Sequence, residues 1–73
     1  MKIKQVSNTI KDYRYQHQMS QEVLANLVGC TRQTIISLEQ NKYSPSFVLV
    51  AKIAQIFDIP VDDVIQITFE ETD

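Results

Sequence analysis

Over 73 residues the chain has one cysteine, one glycine, two prolines, one histidine and no tryptophan, and each scarcity removes a class of architecture. A lone thiol, Cys30, forms no intramolecular disulfide, and beside the single His17 it falls short of a four-ligand zinc site. There is room for one core only. At this size folding buries roughly 60% of the surface that the unfolded chain exposes, so helix packing or self-association has to supply the stability. No run of about 20 apolar residues offers a membrane span. The start, Met1 to Gln5, lacks the apolar stretch of a signal peptide. Together these absences predict a cytoplasmic protein that does not use a membrane. There is also no glycine-rich phosphate loop and no Ser/His/Asp or Cys/His arrangement around the only histidine, and little volume for a substrate pocket of about 300–1,000 Å³. No enzymatic activity, no cofactor and no metal are expected.

Positive charge is missing beyond Lys52. Residues 1–54 hold all seven Lys and Arg against Asp12, Glu22 and Glu39, a net +4, whereas residues 55–73 hold six acidic residues and no basic one. The formal net charge of −2 is therefore the sum of a basic body and an acidic end. That asymmetry points toward nucleic-acid contact, against the plainer reading of a mixed, solvated surface.

What is present divides the chain into short helices. Ser7 or Asn8 is expected to cap a first helix running to about His17, with Ile10, Tyr13 and His17 on one face. Ser20 caps a second, about Gln21 to Val28, with Leu24, Ala25 and Val28 inward. Gly29 ends it, since a left-handed residue is least costly there as glycine. Thr31 opens a third, about Arg32 to Gln40, and Ser46 a fourth, Phe47 to about Phe57, striped by Val50, Ile53, Ala54 and Phe57. Pro60 suits the first turn of a fifth helix reaching about Ile65. The period then becomes two: Ile65, Ile67 and Phe69 alternate with Gln66, Thr68 and Glu70, and Met1 to Val6 alternates as well. The expected fold class is all-α, a five-helix bundle with a helix-turn-helix, extended by a two-stranded antiparallel ribbon of the two termini. Such a ribbon is marginal alone and needs the helices or another subunit to cover it.

Function is carried by Gln21 to Tyr43. A helix, a tight turn with one glycine and a second helix present Arg32, Gln33, Ile36, Ser37 and Gln40 outward. Arg forks onto guanine O6 and N7 and Gln onto adenine N6 and N7, each good pair giving about 1–3 kcal/mol of discrimination. An exposed Ile36 suits a thymine methyl.

The strings Ser20-Gln21-Glu22-Val23-Leu24-Ala25, Val28-Gly29-Cys30-Thr31-Arg32-Gln33-Thr34-Ile35, Leu38-Glu39 and Asn41-Lys42-Tyr43-Ser44-Pro45-Ser46 resemble the Xre-type helix-turn-helix regulators, the Cro/cI-like phage-repressor class. The resemblance spans about residues 8–66. Within that class the short length and strand-like ends are most similar to the very small dimeric cytolysin-repressor-like proteins. The resemblance implies one helix-turn-helix domain over 1–73, with the motif itself at about 20–40. It also implies a sequence-specific transcriptional repressor of double-stranded DNA that needs no cofactor. Base reading then falls to Arg32, Gln33, Ile36 and Ser37, and phosphate contact to Gln21, Thr31 or Thr34, Asn41, Lys42 and Tyr43. Arg14 and Glu39 match a pair that bridges the first and third helices. The chain departs from the pattern at Val23, which removes a capping box, at Ile36, and at Val48 and Leu49, which give the fourth helix extra apolar surface.

One recognition helix reads only a few base pairs, so a twofold homodimer on a pseudo-palindromic operator is expected, its helices about 34–36 Å apart. Its candidate interface lies within about 59–70: Ile59, Val61, Val64, Ile65, Ile67 and Phe69. The competing reading is a protein-interaction module of the same fold, an antitoxin or anti-repressor, covering a partner through Val48, Leu49 and the ribbon. The lack of a ligand domain leaves a regulatory partner protein, proteolysis or concentration as the means of control. Cys30 reads as a structural thiol rather than a redox sensor, and His17 as a dipole partner or packed ring rather than a ligand.

Overall fold

Three hydroxyl caps start the helices that the sequence marks most clearly. The computed structural model describes residues 2–42 and 45–71. In chain order its elements are β1 (Ile3–Asn8), α1 (Ile10–Gln16), α2 (Gln21–Val28), α3 (Arg32–Glu39), α4 (Phe47–Phe57), α5 (Val61–Val64) and β2 (Ile65–Phe69). Ser20, Thr31 and Ser46 each accept an amide of the first turn, from Val23 at 3.1 Å, Thr34 at 3.2 Å and Leu49 at 3.2 Å. Each bond satisfies a donor that a helix start leaves without an intrahelical partner.

The first helix starts differently from expectation. Neither Ser7 nor Asn8 is its cap residue, because β1 runs on and pairs Ser7 with Gln66 and Asn8 with Ile65. Thr9 takes the cap position, but its hydroxyl donates to the Asp63 carbonyl and its amide to the Val64 carbonyl at 3.1 Å. The Ile10 amide is taken instead by the Asn8 side-chain oxygen at 3.2 Å. The Asn8 amide group reaches across to the Leu38 carbonyl at 2.9 Å and to Asn41 Oδ1 at 2.8 Å. The junction of β1 and α1 is thereby tied to the ends of both α3 and α5.

The ends of α1 to α4 share one geometry. Gln18, Gly29, Asn41 and Asp58 all have positive φ, at 52°, 77°, 58° and 55°. After each, the next amide returns five residues: Met19 to Arg14, Cys30 to Ala25, Lys42 to Ser37 and Ile59 to Ala54, at 2.8–3.0 Å. These are Schellman closures, and only the one at Gly29 was legible. A Cβ added at Gly29 meets nothing within 4 Å, so the conformation rather than space calls for glycine there.

One cluster of apolar side chains joins the helices: Ile10, Leu24, Ala25, Val28, Ile35, Leu38, Val50, Ile53, Ala54, Phe57 and Val64 are buried. Val64 is only 1% exposed. Its expected place in a subunit interface is corrected by this, since the one-turn helix α5 spends Val64 on the protomer's own core. Leu49, Ile59, Val61 and Ile65 are half-buried and pack on the same cluster, so of Val48 and Leu49 only Val48 adds exposed apolar surface to α4, beside Phe47.

β1 and β2 pair antiparallel, with Ile3 opposite Phe69 and Val6 opposite Ile67. A bulge at Lys4 shifts the register between Ile3 and Gln5. Without it Ile3 and Val6, three apart, would face opposite sides; the extra residue returns Ile3 to the side of Phe69, Ile67 and Val6. The ribbon's inner end is rooted by Asn8 and Ile65, but farther out Ile3, Val6, Ile67 and Phe69 remain exposed. Among the described residues the fold is five helices with a two-stranded antiparallel sheet of the two ends, as expected, and the all-α label holds only for the part outside that sheet.

Candidate nucleic-acid interface

The geometry of the face begins at Glu39, the last residue of α3. Arg14 of α1 grips it with two prongs, Nε to Oε2 at 2.7 Å and Nη2 to Oε1 at 3.0 Å, and sends Nη1 to the Met19 carbonyl at 3.0 Å. The pair is almost closed to water, the side chains being 6% and 8% exposed. Donating to Glu39 raises the Arg14 pKa further above its ordinary value, so the guanidinium stays charged. Gln21 at the start of α2 donates to the same Glu39 Oε1 at 3.1 Å. One carboxylate thus joins α1, α2 and α3, and fixes the angle between the helix-turn-helix pair and the helix behind it. Gln21, expected at a phosphate, has committed one amide proton to this bond; its second proton and its carbonyl oxygen are left for an outside partner.

Gly29, Cys30 and Thr31 make the turn into α3. The Thr31 and Thr34 hydroxyls lie 2.9 Å apart. One proton serves that bond, so the pair keeps one hydroxyl proton for an outside acceptor. Arg32, Gln33 and Gln40 are exposed along the outer side, while Ile36 and Ser37 are half-buried. The expectation of an exposed Ile36 is corrected accordingly: it forms part of a wall rather than a protruding knob. Among the described residues, no hydrogen bond or ion pair takes up the Arg32 guanidinium or the Gln33 carboxamide.

That wall belongs to an open depression of about 530 Å³. α3 contributes Arg32, Ile36, Glu39 and Gln40, and the start of α2 contributes Ser20, Gln21 and Glu22. α1 contributes Lys11, Arg14 and Tyr15. Lys11, Tyr15 and Glu22 were not assigned to the site from sequence. Their helical positions are exposed by pattern; Glu22 comes to this face with the start of α2, and the bridge from Arg14 to Glu39 brings Lys11 and Tyr15 of α1 beside it.

At the far end of α3, Asn41 Oδ1 is held by Asn8, its own amide protons meet no acceptor among the described residues, and Lys42 is exposed. Tyr43 lies outside the described residues. Cys30 is half-buried beside the Thr31 carbonyl, at 3.6 Å, and loss of hydration pushes its thiol pKa up, partly offset by Lys52. His17 caps α1: its Nδ1 lies 2.9 Å from the Tyr13 carbonyl, which can only accept, and its ring sits 5.1 Å from that of Phe57. None of the helices among the described residues is long and apolar enough to cross a membrane.

The arrangement is that of a protein presenting one helix of forked donors, braced by two others. A family model described as helix-turn-helix matches residues 10–64. An HTH-type transcriptional regulator of Methanocaldococcus jannaschii, itself uncharacterised, is 44% identical over 59 residues, 81% of this chain and 89% of its own. The transcriptional repressor RstR of the cryptic phage CTXphi in Vibrio cholerae is 29% identical over 81% of this chain and 53% of its own. In structure, the restriction-modification controller protein C.AhdI of Aeromonas hydrophila is similar with a TM-score of 0.68 at 30% identity, over 74% of this chain and 82% of that one. The chain belongs to the Xre-type helix-turn-helix family of DNA-binding transcriptional regulators.

Proposed function

We propose that this protein is a cytoplasmic, sequence-specific repressor that occupies a pseudo-palindromic operator as a homodimer, without catalysis or a cofactor. The observation that carries the reading is the outer side of α3, where Arg32 and Gln33 are exposed with their forked donors uncommitted. Arg32, Gln33, Ile36 and Ser37 read base edges in the major groove. Gln21, the Thr31–Thr34 pair, Asn41, Lys42 and Tyr43 hold phosphates. Arg14 and Glu39 keep the helices at the angle this needs.

The seam of the dimer runs along Ile67 and Phe69, which are 49% and 47% exposed, and takes in what remains open of Ile59, Val61 and Ile65. Val61, Ile65 and Ile67 line an apolar depression of about 320 Å³ with Pro45 and Phe47, a shape that a second apolar ribbon fills. The acidic residues 62, 63, 70 and 71 then lie along the seam or away from the duplex.

Selection of bound sequences from a random duplex library tests both parts, since a palindromic consensus reports base reading and twofold symmetry together. On the selected site Arg32→Ala and Gln33→Ala are each expected to cost about 1–3 kcal/mol, with non-specific binding nearly intact. Equal affinity of variants and wild type overturns the base-reading assignment. A second reading, an antitoxin or anti-repressor covering a partner protein, draws on Phe47 and Val48, which are 73% and 61% exposed on α4. A library that yields no consensus favours it.

A further inference from the structure

We propose that α1 completes the phosphate-binding face, with Lys11 and Tyr15 holding the sugar–phosphate backbone next to the Gln21 contact. This rests on the DNA-binding reading. Lys11 and Tyr15 are four residues apart and so share one side of α1. Tyr15 is a large exposed aromatic that takes no part in the core cluster. The Lys11 ammonium lies 5.7 Å from its ring centroid and the Arg14 guanidinium 5.0 Å, distances at which a ring face attracts a cation. A flexible lysine is thereby held toward the depression it shares with Gln21 and Arg32.

The charges of that depression select the ligand. Arg14 is answered by Glu39 at 2.7 Å. Among the described residues lining it, Lys11 and Arg32 are cations with no such partner, against the single carboxylate of Glu22. An open, polar, cation-bearing channel beside a recognition helix fits a polyanionic strand lying along it better than an enclosed small molecule. Lys11 supplies the point charge, and the Tyr15 hydroxyl donates to a phosphate oxygen. Glu22 opposes both.

The test is fluorescence anisotropy of a labelled duplex over a salt series, with wild type and Lys11→Ala on the selected site and on an unrelated sequence. Loss of one phosphate contact lowers the slope of log affinity against log salt by about 0.9, which is about eightfold weaker binding near 0.1 M salt. The loss is expected to be the same on both duplexes, because phosphate carries no sequence. Tyr15→Phe weakens binding without moving the slope, and Glu22→Gln tightens it. Lys4→Ala, which removes one positive charge from the ribbon, controls for net charge and leaves the slope unchanged. Lys11 is exposed, so the variant folds; a matching melting curve checks this, and Lys11→Gln stands in if it does not. An unchanged slope in Lys11→Ala, or an equal loss in Lys4→Ala, overturns the proposal while leaving DNA binding by α3 intact. A wild type that binds neither duplex removes the DNA-binding reading and this one with it.

Discussion

The two ends of this molecule treat their surface in opposite ways. Around the depression between α1, α2 and α3 most side chains are polar or charged, and a nearly dry carboxylate, Glu39, holds three helices together. At the ribbon the strands carry Ile3, Val6, Ile67 and Phe69 into solvent on one side, aligned by a bulge. A polar network sets geometry, since its bonds have direction and leaving one partner alone is costly. An apolar face sets none but gains from being covered. The first kind of surface suits reading a ligand of fixed spacing, and the second suits meeting a copy of itself.

The largest effect is expected on the polar side. Glu39→Ala leaves the Arg14 guanidinium buried without its partner and takes an acceptor from Gln21. A loss of about 3–5 kcal/mol follows, a large part of what a domain this small has. Urea unfolding measures it, and a loss below about 1 kcal/mol would mean that the bracing is incidental. On the apolar side Ile67→Asp is expected to change the protomer's own stability by only about 0.5 kcal/mol, as exposed sites do. It is nonetheless expected to convert the proposed dimer to monomer in sedimentation and to remove the dependence of melting temperature on concentration. If the variant stays dimeric, the seam lies elsewhere. Val64→Asp cannot make this test, because it buries a charge in the protomer's core.

Two smaller effects sharpen the contrast. Gln18 closes α1 with φ at 52°, a conformation that costs a side chain about 1–2 kcal/mol relative to glycine. Gln18→Gly is therefore expected to stabilise by about 1 kcal/mol, less the entropy that glycine adds to the unfolded chain, seen as a rise in the urea midpoint. The smallest concerns Cys30. Its thiol pKa is raised by burial, so at mildly alkaline pH the folded protein holds less thiolate than the unfolded chain and is alkylated more slowly. The stability this contributes is present below the unfolded thiol's pKa and fades as pH rises through the folded one. Equal alkylation rates in buffer and in denaturant would place the thiol in water.

Different elements were legible to different degrees, for local reasons. α2 and α4 could be read because a serine cap and an apolar stripe agree at each. The start of α1 could not, since Ser7 and Asn8 cap equally well in principle and only the pairing with β2 takes them into a strand. Of the four left-handed helix ends only Gly29 announces itself, as Gln, Asn and Asp occur in many other conformations. The residues on the outer side of α3 follow from helical period alone. Lys11 and Tyr15 escape because their place depends on how α1 lies against a helix some twenty residues away.

The order of local elements, the charge division between body and end, and the forked donors on one helix face are properties of neighbours along the chain. Short-range sterics, capping and period were enough to determine them. The sharing of Glu39 among three helices, the half-burial of Ile36, the loss of Val64 to the core and the alignment of the ribbon's apolar side depend on which distant surfaces meet. An apolar residue gains the same free energy from any dry neighbour, and a carboxylate from any well-placed donor. Only the packed structure decides which one it finds.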